Sequence, residues 1–519
     1  MKGACVAGAG FSRRWFIGGL TSFGAFGGAR MLCAAPGVFS GRKPRLSFGV
    51  MSDVHLRVGP DGTGLQKGYG TDTLDTAFAW FRDQGADAVM IAGDMADKGC
   101  VAELEALAAA WYRAFPDDAA PDGRRVERLF VYGNHDWEGF KYGDYMKKIY
   151  PDGNELAKHI LRTDMKGSWE RIFHEPYSPV YRKDVRGYTF IGAHWTSDCC
   201  RGADERGVAG VEEFFSANAR AIDPSRPFFY FQHPHPRNTC YGPWAWGRDN
   251  GGATRALSAH PGAIAFSGHS HYSLTDERSI WQGDFTSVGT SSMRYTSMPY
   301  QSRPPRGYEN AAAPAAREYD PYKVMGRLGT SDGRQGMLVK VFDDCVTFTR
   351  REFVYGGSLG DDWVLPLPSA EPRPFDFARR AAASRAPQFP AGAKVSVRKV
   401  VARNRGGKAA GGATVEAVEK DAWEVRFPAA NAVAGARPLE YEVTAEPKTG
   451  EKAVRHVVAQ GFNMPVGDGR AQGESFCVIA ADSLPQGVDI RFSVRPLNSL
   501  GKAGGEIRGE WISATVKQS

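Results

Sequence analysis

Cysteine is scarce in this 519-residue chain, eight in all. Cys5 and Cys33 lie in the first 35 residues. The other six, Cys100, Cys199, Cys200, Cys240, Cys345 and Cys477, are scattered at spacings that suit neither a zinc site nor a dense disulfide framework. Long apolar runs are missing as well: none reaches the ~18 residues of a membrane-spanning helix, which argues against an integral membrane protein. Charge of one sign is also in short supply. The net is +7, but Lys2, Arg13, Arg14 and Arg30 stand in residues 1–35 without a single acid. The remaining surplus of +3 is too small to point to nucleic acid. Internal repeats are absent. What is present, 42% hydrophobic and 24% charged residues, excludes a wholly disordered or fibrous chain.

The first 35 residues have the order of an export signal. Ser12-Arg13-Arg14-Trp15-Phe16-Ile17 leads into a weakly apolar, glycine-rich stretch to Ala29, then Arg30 and small residues ending Cys33-Ala34-Ala35. The paired arginines resemble a twin-arginine signal. That resemblance implies export to the periplasm or cell envelope, with cleavage near Ala34 or Ala35. The alternative, an N-terminal helix of the fold, is disfavoured by the glycines.

From residue 45 onward short apolar runs alternate with helical patterns. Leu46–Met51, Ala88–Ala92, Leu129–Tyr132, Tyr188–Ala193, Pro227–Phe231 and Ala263–Ser267 read as strands. Leu74, Ala77, Phe78 and Phe81 fall at helical spacing, as do Val101, Leu104, Leu107, Ala108, Trp111 and Phe115. This alternation predicts α/β layers. Gly336–Phe342 and Val346–Phe353 predict a hairpin that closes a sheet. Residues 140–186 read as an aromatic-rich insertion within a domain spanning 44–372, and 373–392 as a linker. From 393 to 519 strand patterns take over, predicting a separate all-β sandwich. Its segment Leu484–Gly501 resembles a fibronectin type III end strand, with Ile490 where that family usually has Tyr.

Five polar clusters follow apolar runs: Asp53-Val54-His55, Gly93-Asp94, Gly133-Asn134-His135-Asp136, His233, and Gly268-His269-Ser270-His271. Ligands of open α/β sheets gather at the carboxyl ends of strands, so these clusters are expected to converge. Asp, Asn and imidazole are ligands for borderline to hard divalent metals. Seven such groups, Asp53, His55, Asp94, Asn134, His233, His269 and His271, are too many for one catalytic ion. Two ions sharing a carboxylate can clamp the attacking and leaving oxygens of a phosphoryl displacement and lower the pKa of a bridging water.

The same clusters in the same order resemble the calcineurin-like metallophosphoesterases over roughly residues 44–300. The resemblance implies a four-layer α/β/β/α sandwich and hydrolysis of small phosphoric esters by hydroxide attack on phosphorus. It further implies Asp53, His55 and His271 on one metal ion, Asn134, His233 and His269 on the other, and Asp94 between them. The ions would be Mn, Fe or Zn. His135 would face the substrate and protonate the leaving group, with Asp136 orienting it. Two departures narrow the branch. Lys98 stands where the phosphoprotein phosphatases have Arg, and a lysine cannot grip phosphate bidentately. Asp97 stands where purple acid phosphatases have their metal-binding Tyr. What remains resembles the bacterial phosphodiesterase-like members.

Other residues have more ordinary readings. His159, His174, His260 and His456 read as core or surface histidines. His235 is the alternative to His233, which is preferred because it ends the strand. His194 ends another strand and either borders the site or packs in the core. Asp97 reads equally as support for a ligand or as a helix cap. Residues 235–253, with Trp244, Trp246 and Arg248, read as a substrate lid or a packed surface loop. The rival functions are a phosphomonoesterase or nucleotidase on the same centre, and a metal-binding surface or scaffold protein without turnover. The C-terminal module would dock glycan or protein, or only stabilise the core.

Overall fold

The computed structural model describes residues 33–34, 41–196, 208–240, 249–296, 333–369, 373–403, 407–408, 414–415, 419–431, 437–459, 462–465 and 473–513. The expected leader and the proposed lid residues Trp244, Trp246 and Arg248 lie outside the described residues, apart from Cys33 and Ala34.

Strand alternation decides the layering, because successive side chains point to opposite faces of a sheet. In β1 (Leu46–Met51), Leu46, Phe48 and Val50 enter one apolar cluster and Met51 enters another. β2 (Ala88–Ala92) divides Ala88 and Met90 from Val89 and Ile91, and β3 (Glu127–Val131) divides Leu129 and Val131 from Phe130. A second group of strands does the same: β4 (Val180–Val185), β5 (Tyr188–Ala193), β6 (Phe228–Phe231) and β7 (Ala263–Ser267). Phe190, Phe229 and Phe266 of this group surround Phe48, with ring centroids 5.1, 4.8 and 5.9 Å away. Their neighbours Ile191, Tyr230 and Ala265 face the opposite way, towards the helices Val211–Asn218 and Gly252–Ser258. The helices Asp72–Asp83, Val101–Ala114 and Met165–Phe173 cover the outer face of the first sheet. The layers are helix, sheet, sheet, helix, the α/β/β/α order expected.

Both sheets are mixed. The remaining strands are β8 (Ile280–Gln282), β9 (Thr286–Gly289), β10 (Gln335–Val341), β11 (Cys345–Glu352) and β12 (Asp362–Pro366). The first sheet runs β12-β11-β10-β1-β2-β3, and Cys33–Ala34 and Gly357–Ser358 add two-residue strands to β12 and β11. The second runs β4-β5-β6-β7-β9-β8. The expected hairpin is β10-β11, and β10 pairs antiparallel with β1. The strands β1-β2-β3 and β5-β6-β7 are parallel within their sheets, so their carboxyl ends open on a common edge.

The C-terminal residues form antiparallel sheets. One holds β13 (Ser396–Arg403), β14 (Glu419–Pro428) and β17 (Glu474–Ala480). The other holds β16 (Ala453–Val458), β15 (Pro438–Pro447), β18 (Ile490–Asn498) and the short strand Ile507–Arg508. Val425, Phe427, Cys477 and Ile479 meet Tyr441, Val443, Phe492 and Val494 between them. The sequence reading missed β16, whose Arg455 and His456 break the apolar pattern.

The segment 373–392, read as a linker from its Pro, Ala and Arg content, packs down in its first part. Phe375 is buried, and Arg380 of the helix Phe377–Ala383 pairs with the carboxylate of Glu277. A loop of the C-terminal residues also reaches the first sheet: Gln335 donates to the carbonyl of Asn463 at 3.0 Å, and Asn463 Nδ2 donates to Thr296 Oγ1 at 3.3 Å. Cys100, Cys240 and Cys345 are buried free thiols, and Cys477 is buried in the C-terminal core. Among the described residues no helix is long and apolar enough to cross a membrane.

Phe48 has no exposed surface and touches both sheets. Phe48→Ala is expected to cost about 3–5 kcal/mol, read as an earlier unfolding transition in urea. An unchanged midpoint would contradict the placement of the core.

Candidate metal centre

Each of the five clusters follows the carboxyl end of a parallel strand: β1, β2, β3, β6 and β7. The backbone there is strained. Asp53, His55, Asp94, His269 and His271 have φ of 52°, 50°, 53°, 67° and 57°. The left-handed region costs a non-glycine residue roughly 1–3 kcal/mol and persists only where its surroundings over-determine it. Here they do. Asp53 N donates to Gly93 O and His55 N to Asp94 O, both at 3.0 Å, and His269 N donates to the Asp53 carboxylate at 3.1 Å. The glycines of the motifs are required by space. A Cβ on Gly133 would sit 2.2 Å from Asp94 Oδ1, and one on Gly268 would sit 2.4 Å from Asp53 Oδ2.

The turns aim the side chains into two adjoining groups. In one, His271 Nε2 lies 2.9 Å from Asp53 Oδ1 and 3.2 Å from His55 Nε2. In the other, His233 Nε2 lies 3.1 Å from His269 Nδ1 and 3.0 Å from Asn134 Oδ1. Asp94 Oδ2 stands between them, 3.1 Å from His233 Nε2 and 3.6 Å from His55 Nε2. Two imidazole nitrogens bound to one ion at ~2.1 Å would be roughly 3.0–3.4 Å apart at octahedral or tetrahedral angles, and both pairs fall in that range. The remaining ring nitrogens are anchored. His233 Nδ1 is 2.8 Å from the Ala92 carbonyl and His271 Nδ1 is 3.0 Å from that of Tyr295, which leaves each Nε2 lone pair turned inward. The Asn134 amide is fixed likewise: Nδ2 donates to Tyr142 Oη at 3.1 Å, so Oδ1 faces the histidines.

The charge of this edge calls for cations. Asp53, Asp94 and Asp97 are buried. Burial opposes a charge on His55, but Asp53, Asp97 and Asp94 outweigh it and push its pKa up to about 10. His233, also opposed by burial, is pushed up to about 9 by Asp94 and Asp53. Burial and the charge of His233 hold His269 well below the usual range. Buried carboxylates that keep protons on neighbouring imidazoles would exchange those protons for metal ions. The donor set of carboxylate, amide oxygen and imidazole therefore fits a pair of divalent cations.

The structure thus brings together all seven sequence-predicted ligand residues. His233 stands in the cluster; His235 is buried between Ser267 and Ser270, with each hydroxyl 2.7 Å from a ring nitrogen. His194 belongs to the core, where its Nδ1 accepts from Tyr132 N at 3.0 Å and burial lowers its pKa to about 3. One expectation is corrected. Asp136 does not orient the His135 ring: its carboxylate accepts from Gly133 N and Ala96 N, both at 2.7 Å, and so ties two ligand loops together. The His135 ring is held by the Asp97 carbonyl, 2.8 Å from Nδ1. Asp97 also places a carboxylate oxygen 3.2 Å from His55 Nδ1, so it supports both histidines. Lys98 is turned away, donating to the Tyr142 carbonyl at 3.2 Å. Sequence reasoning missed Tyr142, Trp195 (its ring 5.8 Å from that of His269) and Tyr295 (4.3 Å from that of His271). No motif marks them. The only signal was aromatic content close to the ligand histidines.

Residues 46–273, just under half of the chain, match the family model described as calcineurin-like phosphoesterase. This segment is a calcineurin-like phosphoesterase domain. It makes the chain a hydrolase acting on phosphoric ester bonds. Solved structures resemble it more distantly. A dimetal phosphatase from Danio rerio is 11% identical, with 62% of this chain and 99% of that one covered, at a TM-score of 0.35. A purple acid phosphatase from yellow lupin (Lupinus luteus) seeds is 14% identical, with 62% and 54% covered, at 0.36. The anchor in the inner membrane complex of Plasmodium is 11% identical, with 61% and 89% covered, at 0.32. A search of curated protein sequences finds no significant match.

The retained protons set the pH dependence of metal binding. His55 and His233 must each lose a proton to present a lone pair, so affinity is expected to rise with pH below about 9, roughly tenfold per pH unit for each proton released. Chelator competition at pH 6, 7 and 8 measures it. A flat affinity would contradict the shared use of these histidines by protons and metal.

Proposed function

We propose that the chain is an exported, dinuclear-metal hydrolase with a preference for phosphodiesters. In this reading Asp53, His55 and His271 would hold one ion, Asn134, His233 and His269 would hold the other, and Asp94, placed between the two groups, would serve both. The observation that carries it is the position of Asp94 Oδ2 between two groups whose nitrogens are already at ligand spacing. Bound there, the ions supply Lewis acidity and a nucleophile at neutral pH for in-line displacement at phosphorus.

The protein's own residues supply the rest. His135 is the partly exposed member of the cluster, its side chain 25% accessible, and its backbone N–H donates to Asp94 Oδ1 at 2.8 Å. Burial lowers its pKa, so the free ring is neutral, with Nδ1–H on the Asp97 carbonyl and Nε2 available. An arriving phosphoryl anion favours the charged ring. Nε2 then carries a proton, holds a phosphoryl oxygen and delivers that proton to the departing alkoxide. The diester preference is supported by Lys98. The cation that follows Asp94 is occupied by the Tyr142 carbonyl and the Asp97 carboxylate, 3.4 Å away, and is not offered to a second phosphoryl charge.

Export is supported by the paired Arg13-Arg14 leader. The division of the C-terminal strands into sheets of three and four, packed face to face, supports a fibronectin type III-like module.

The leaderless chain with Mn²⁺ or Zn²⁺ is expected to hydrolyse bis(p-nitrophenyl) phosphate at least tenfold more efficiently than p-nitrophenyl phosphate, and to stop on addition of chelator. His135→Ala should keep its metal and lose about 10²–10⁴-fold in kcat. Preference for the monoester would overturn the diester reading, and wild-type turnover in His135→Ala would remove that residue from the reaction.

A further inference from the structure

Beside the Asp53, His55 and His271 group stands a stack of residues that the metal cluster does not use. Arg57 lies two residues after His55, and its Cζ is 3.7 Å from the centroid of the Tyr69 ring. Arg294 Cζ is 3.6 Å from the same centroid. Two guanidinium groups this close to one ring must occupy opposite faces, because on one face they would collide. Both are tied to the centre. Arg57 Nε lies 2.5 Å from Asp97 Oδ2, and the other oxygen of Asp97 is 3.2 Å from His55 Nδ1. Arg294 immediately precedes Tyr295, whose carbonyl holds His271 Nδ1.

Among the described residues, the charges in this stack do not balance. Asp97 is shared by Arg57, Lys98 and His55. Among the described residues no carboxylate pairs with Arg294, and its Nε is buried without a hydrogen-bond partner. Tyr69 stacks on the cation and its hydroxyl takes one guanidinium donor of Arg294, but neither contact offers the planar, bidentate oxyanion that a guanidinium fork is built for. A like charge on the far side of the ring makes an unpaired Arg294 costlier still. An arginine kept this way beside two cation sites is explained by an anion that arrives with the substrate.

We propose that Arg294, backed by Tyr69 and Arg57, forms a second oxyanion subsite beside the metal centre, and that the substrate is a phosphoric ester whose alcohol carries a further carboxylate or phosphate. The subsite rests on the reading above, in that the scissile phosphoryl group is placed at the metal pair. It adds a specificity that the centre itself does not supply.

The test is calorimetric binding of three non-hydrolysable phosphonates to the metal-loaded chain. Methylphosphonate has no second group, phosphonoacetate adds a carboxylate, and methylenediphosphonate adds a phosphonate. At least one of the last two is expected to bind tenfold or more tightly than methylphosphonate, and which one does so separates the carboxylate from the phosphate source. In Arg294→Ala the gap should close to under twofold. In Arg294→Lys, which keeps the charge but not the fork, it should close only in part. A gap that persists in Arg294→Ala is chelation at the metals and overturns the subsite, as does wild-type protein without a preference. If Arg294→Ala does not fold, the preference of wild type and its partial loss in Arg294→Lys decide the matter. Wild-type turnover of bis(p-nitrophenyl) phosphate is measured alongside. An Arg294-dependent preference without turnover would sink the proposed activity and leave the subsite standing.

Discussion

Buried negative charge at one sheet edge is the constraint on which the rest of this molecule depends. Asp53, Asp94 and Asp97 are carried out of water within a few ångströms of one another, which is costly unless cations accompany them. Protons on His55 and His233 answer part of that charge, and metal ions answer it more fully. The local oddities of the chain follow. Five of the seven proposed ligands sit in a left-handed backbone region, and Gly133 and Gly268 have no room for a Cβ because the Asp94 and Asp53 carboxylates fill the space. Strain at these positions is tolerated because each turn is fixed by hydrogen bonds to its neighbours and the ions would complete the set.

The scaffold turns this constraint into geometry. Parallel strands in two facing sheets bring five loops to a common edge, and the aromatic packing around Phe48 fixes the sheets against each other. Two buried carboxylates that are not ligands then stitch the loops together. Asp136 accepts from the loops after β2 and β3, and Glu103 accepts from Val58, Lys98 and Cys100 at 2.9–3.0 Å. Burial raises Asp136 to about 7 and Glu103 to about 8. The cost of burying these carboxyls is accepted in exchange for loop rigidity.

How much of this was legible in the sequence depends on the length scale of each signal. The proposed ligands were legible because metal chemistry restricts residue type and strand ends restrict position. The layers were legible because Phe48, Val50, Val89 and Ile91 keep a period of two. Contacts made across the fold left no local trace. Asp97 acts on His55 and His135 from about 40 residues away in sequence, and Arg294 meets Tyr69 across more than 200. Asp136 was misread because adjacency in sequence suggests contact, whereas neighbouring helical residues do not face each other. His233 and His235 share a strand-end position and differ only in surroundings: Gly93 lies against one, two serines hold the other. Composition over 373–392 suggests a linker but does not show that Arg380 pairs with Glu277.

The central claim is that Asp94 joins two ion sites into one centre, and metal stoichiometry tests it most directly. Elemental analysis after equilibrium dialysis should find two ions per chain in the wild type. His271→Ala should retain one of them, and Asp94→Ala should lose most of both. A wild-type chain that saturates at one ion, or an Asp94→Ala variant that loses only one of two, would contradict the account.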